Sequence, residues 1–137
     1  MGVPVRRDRK ALIAFIEARA AMAHDFDGND CVSFTMGAVA AQFGSHPEIG
    51  VRWHDERSAK RAIATLGGIE AATDARFARI APHEAQFGDI AGVVDEETGF
   101  HLMLVEGQML VAPGEAGLAR LPRSRMVAAW RARGAVS

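Results

Sequence analysis

Apolar residues near the start of the chain recur at three- and four-residue steps. Leu12, Phe15, Ile16, Ala20 and Ala23 fall on one face of a helix, and Asp8 stands where its N-cap belongs. Residues 24–29 break the pattern with Asp, Gly and Asn. A second helix fits Cys31–Phe43, with Asp30 as its N-cap and Gly44 as its end. Residues 45–50 carry loop signals around Pro47. Residues 56–66 predict a third helix, closed by Gly67-Gly68. The period then changes from helical to alternating. Residues 89–94, 100–105 and 108–112 predict strands, separated by turns at Glu97-Thr98-Gly99 and Glu106-Gly107, and 118–121 and 126–131 add two more. Helices first and an antiparallel meander afterwards is an α+β pattern. The expected architecture is a set of N-terminal helices packed on a C-terminal antiparallel sheet.

Composition narrows the class. A chain of 137 residues fits one domain. With 49% hydrophobic and 24% charged residues it can bury a core, which excludes a disordered chain or a collagen. No apolar run approaches the roughly 20 residues that span a bilayer. The net charge of −1 weighs against a dedicated nucleic-acid binder. That charge is unevenly placed. Seven acids and no Lys or Arg lie between Glu84 and Glu115, and five Arg and no acid lie between Arg120 and Arg133. Either neighbouring elements pair these surfaces, or a basic edge docks an acidic partner. Arg6, Arg7, Arg9 and Lys10 ahead of an apolar stretch mimic a signal peptide. The stretch stops after six residues at Glu17, short of the roughly 7–15 of a signal core. A helix is expected there, in a protein made in the cytoplasm without a signal peptide.

Candidate chemistry centres on the one cysteine, Cys31, which excludes an intrachain disulfide. At a helix N-terminus the backbone dipole favours thiolate, while Asp30, Asp25 and Asp27 oppose it. A positive partner is then needed; otherwise Cys31 is a small buried hydrophobe. Among His24, His46, His54, His83 and His101, only His101 opens an apolar strand, where a ring is held firmly. His24, His46 and His54 lie in polar loops and are expected to be exposed. Asp25, Asp27 and Asn29 mimic the start of a calcium loop. Asp30 replaces its glycine and Met36 its bidentate glutamate, so no metal and no cofactor is expected. Trp130 could line a groove or sit in the core.

Three motifs in fixed order carry a resemblance: Asp30-Cys31-Val32-Ser33-Phe34, Gly88-Asp89-Ile90-Ala91, and His101 to Gly107. Together they resemble the NlpC-type papain-like cysteine peptidases. Gly28-Asn29-Asp30-Cys31, Gly67-Gly68 and Ala129-Trp130-Arg131 are similar to the small members encoded in phage and prophage tail modules. The likeness spans about residues 9–133. It implies a papain-like fold, with Cys31 as nucleophile, His101 as base, and Asn29 and Asp30 beside the oxyanion position. It implies peptidoglycan stem peptides as substrate and phage tail or baseplate proteins as partners, in a virion-borne enzyme without nucleic acid or membrane insertion. Two positions depart from the family pattern. Met103 stands where the His strand usually has Gly. The third polar residue, which orients the imidazole from the next strand, falls on Val111. Either another group such as Gln108 or His83 does this, or the site is a dyad, or catalysis is lost and the chain is a structural tail or baseplate subunit.

Overall fold

The computed structural model describes residues 6–45 and 52–134. Four helices precede most of the sheet: α1 (Arg9–Arg19), α2 (Cys31–Phe43), α3 (Glu56–Thr65) and α4 (Ile69–Arg76). Six strands follow: β1 (Arg79–Ile80), β2 (Ile90–Asp95), β3 (Gly99–Glu106), β4 (Met109–Gly114), β5 (Gly117–Pro122) and β6 (Ala128–Trp130). They form one antiparallel sheet in the order β1-β6-β2-β3-β4-β5. The protein is therefore α+β, with helices packed on an antiparallel sheet. His46 and the Pro47 loop lie outside the described residues.

Local sequence explains the helix ends. Asp8 caps α1 by accepting from the Ala11 N–H. The helical spacing runs on to Ala23, yet α1 stops at Arg19, with Ala20 as C-cap. The Leu118 N–H of β5 takes the Ala20 carbonyl at 3.2 Å. Gly117 permits that approach, because a Cβ there would lie 2.5 Å from the Ala20 oxygen. Gly44 ends α2 with φ +80°, a left-handed turn that glycine adopts without penalty.

Helix α2 is the centre of the fold. It packs on α1 and on β3 and β4. Successive side chains of a strand point to opposite faces, and both faces of β3 are used. Leu102 and Leu104 point to the helical side. Leu104 meets Leu12, Ile16, Phe34, Ala38 and Val111, and Leu102 meets Met36, Val39 and Trp130. Met103 and Val105 fill a second core with Ala91, Val93, Leu110, Met126 and Ala129. The Met103 position is thus a core position in this chain.

Asp89, fully buried, ties the chain's two ends to the start of β2. Its carboxylate accepts from Arg7 at 2.7 Å, Arg131 at 2.6 Å, the Ala132 N–H at 3.0 Å and the Gln86 N–H at 2.8 Å. Trp130 is also fully buried, and its Nε1–H donates to Asp74 at 2.8 Å. It is a core residue rather than a groove lining. Two pairs join the acidic and basic runs internally, Arg131–Asp89 and Arg120–Glu106 (2.7 Å).

Candidate functional site

The loop before α2 is built to present its first residue. Asp25 and Asn29 bridge to each other through their backbones, closing a tight turn. The Asn29 side chain is spent inside that loop. Its Nδ2 donates to the Ala23 carbonyl at 2.8 Å, and its Oδ1 accepts from Arg19 at 3.0 Å. Asp30 caps the helix. Its Oδ1 accepts from the Val32 and Ser33 N–H groups, both at 2.9 Å, and its Oδ2 accepts from Ser33 Oγ and from Trp53 Nε1 at 2.7 Å. Neither residue offers a donor to an oxyanion. Asn29 braces the loop, and the Asp30 carboxylate only accepts. The Cys31 N–H is the first-turn donor that Asp30 leaves untaken.

Cys31 and His101 are 70 positions apart in sequence, yet they line one cleft of about 920 Å³. They stand on elements that pack against each other, α2 and β3. The rim carries His24, Trp53, Thr98, Pro113 and Gly114. Val32, Trp53, Ile63 and Ile69 form an apolar wall shared with a small adjoining cavity of about 30 Å³.

The electrostatics differ from the sequence expectation. Burial pushes the Cys31 thiol up to about 11, and the Asp30 charge adds to the rise. Backbone N–H groups of Leu102, Val32 and Cys31 itself pull it down and do not win. The helix N-terminus alone therefore does not hold a thiolate here, because desolvation outweighs it. Burial lowers the His101 imidazole below its usual value, against the opposing pull of Asp95 and with help from His24. The resting pair is thus a neutral thiol and, above about pH 6.5, a neutral imidazole.

The third position is also corrected. Val111 pairs with Leu104 and is fully buried, three residues along the strand from the level of His101. Continuing that register places Gly114 opposite His101. Pro113 and Gly114 offer no side-chain hydrogen-bonding group, and the Gly114 carbonyl already accepts from the His24 N–H at 2.8 Å. Gln108 and His83 are both exposed, and neither borders the cleft. His24 and His54 are exposed, as their polar loops suggest. Sequence reasoning passed over the cleft residues His24, Trp53 and Thr98. His24 and Trp53 lie in polar loops without a motif, and Thr98 reads as a plain hairpin residue. Among the described residues, no group of three or more His, Cys, Asp or Glu is arranged to hold a metal ion. No described helix is long and apolar enough to cross a membrane.

Residues 5–132 match the family model described as Domain of unknown function (DUF6950). A comparison with curated proteins gives no match.

Proposed function

The chain belongs to the DUF6950 family, and from that premise and the cleft geometry we propose that it is a cysteine amidohydrolase with an NlpC-type papain-like fold. The observation that carries this reading is the meeting of Cys31, at the head of α2, with His101 of β3 in one cleft. His101 takes the thiol proton as general base, and Cys31 Sγ attacks an amide carbonyl carbon. The Cys31 N–H steadies the oxyanion. The intermediate collapses as the protonated His101 gives its proton to the leaving amine. Water, activated by the neutral ring, then releases the acid and restores the thiol.

The resemblance supplies the substrate class, peptidoglycan stem peptides, and the setting, a phage tail or baseplate acting at the cell wall. Digestion of purified peptidoglycan, followed by mass spectrometry of the products, tests this. New amine and carboxyl ends are expected with the wild type and none with Cys31→Ala. Wild-type protein that releases nothing the variant does not also release contradicts it. A second reading is a structural tail or baseplate subunit without activity. It is favoured by the absence of a polar side chain at Pro113 and Gly114, where β4 passes His101. Particles carrying Cys31→Ala that assemble but fail at the wall favour the enzyme. Particles that fail to assemble, with the variant folded, favour the subunit.

A further inference from the structure

The His101 ring has a partner on its own hairpin. Thr98 Oγ1 is in hydrogen-bond contact with His101 Nε2. The Asp95 carboxylate accepts from the Glu97 N–H at 2.8 Å and the Thr98 N–H at 3.1 Å. These bonds fix the turn between β2 and β3, where Asp95 pairs with Gly99. Thr98 Oγ1 occupies Nε2, so the nitrogen left free to take the thiol proton is Nδ1; Nε2 then carries the hydrogen and donates it to Thr98 Oγ1. The ring is thereby held with Nδ1 as its basic nitrogen.

We propose that Thr98, backed by Asp95, is the positioning residue for His101. It fills from the β2–β3 turn the role that the family resemblance places on β4. Its value to catalysis rests on the Cys31–His101 reading above, but the tautomer it imposes can be observed without any substrate. Asp95 and His24 act electrostatically on the ring, and Glu97 and Glu115 line the same cleft. Thr98→Val keeps the backbone N–H that Asp95 accepts from and removes the hydroxyl that meets His101.

The test is ¹⁵N NMR of histidine-labelled protein at pH 7.5, with the His101 signals assigned by their loss in His101→Ala. Wild type and Thr98→Ser show an Nε2–H ring, and Thr98→Val shows a mixture of tautomers. In parallel, iodoacetamide alkylation of Cys31 at pH 7 falls about tenfold in Thr98→Val and recovers in Thr98→Ser. That loss is far short of the roughly 10⁴ that a wrong tautomer costs a serine protease. An Nδ1–H ring in the wild type, or a Thr98→Val spectrum like the wild type's, overturns the proposal. Alkylation that falls in His101→Ala but not in Thr98→Val overturns the positioning role and leaves the parent reading standing. Alkylation unchanged in His101→Ala overturns both.

Discussion

A half-buried, desolvated thiol is a poor nucleophile until something takes its proton. At Cys31 the Asp30 charge holds the proton on, and under the proposed function His101, across the same cleft, removes it. Asp30 has a second duty, since it caps α2 and anchors Trp53. In Asp30→Asn the cap at Oδ1 is kept, and the charge is lost together with the Oδ2 bond to Trp53. An Asn oxygen caps a helix as well as Asp does, while the charge that raises the thiol is gone. Stability measured by urea unfolding is expected to fall by about 1–3 kcal/mol, because the Trp53 N–H loses its acceptor, and Cys31 alkylation at pH 8 to speed up. An unchanged rate would show that the Asp30 charge does not reach the sulfur. Cys31 and His101 were legible as residues because a cysteine at a helix start and a histidine on an apolar strand are unusual placements. The direction of the thiol shift was not legible, because burial is a property of the packed molecule. Nor was Thr98, whose meaning depends on where a hairpin turn points its hydroxyl.

The elements were legible in proportion to their local signals. Helix α2 has a capping Asp, a long apolar run and a terminal Gly, and its predicted bounds match the structure. Helix α4 went unseen. It follows two glycines, has no side-chain cap and buries only Thr73, so nothing in Ile69–Arg76 stands out. Strand β1 is two residues long, too short for alternation to show. The strands of the central meander alternate or run apolar and were placed to within a residue or two. What pins them is a pairing that sequence cannot display, the grip of Asp89 on Arg7 and Arg131. Removing Asp89 leaves the Gln86 and Ala132 N–H groups and the part-buried Arg7 without their acceptor, at about 3–5 kcal/mol in all. Asp89→Ala is therefore expected to lose that much in urea unfolding. Glu106→Ala, which breaks a more exposed pair with Arg120, should lose no more than about 1 kcal/mol. Equal losses would mean that Asp89 does not organise the chain ends.

At the scale of the molecule, the fold brings a helix start and a strand from distant parts of the chain into one cleft. Helices followed by a meander gave the α+β class directly, since each element carries its own period. The cleft itself depends on long-range packing of α2 against β3 and on the turns that rim it, and no local pattern encodes either. Part of the asymmetric charge of the second half is paired internally, at Arg120–Glu106 and Arg131–Asp89. The central claim is that His101 acts as base toward Cys31. The most direct test is the rate of Cys31 alkylation by iodoacetamide from pH 5 to pH 11, in wild type and in His101→Ala. The His101 pKa is lowered from 6.5, so its neutral, proton-accepting form prevails at pH 6.5 and above. The thiol ionises unaided only near 11. The wild-type rate should therefore rise in two steps, one below pH 6.5 with loss of the His101 proton and one toward pH 11. The variant should keep only the second step. A single alkaline rise in both proteins would contradict the claim.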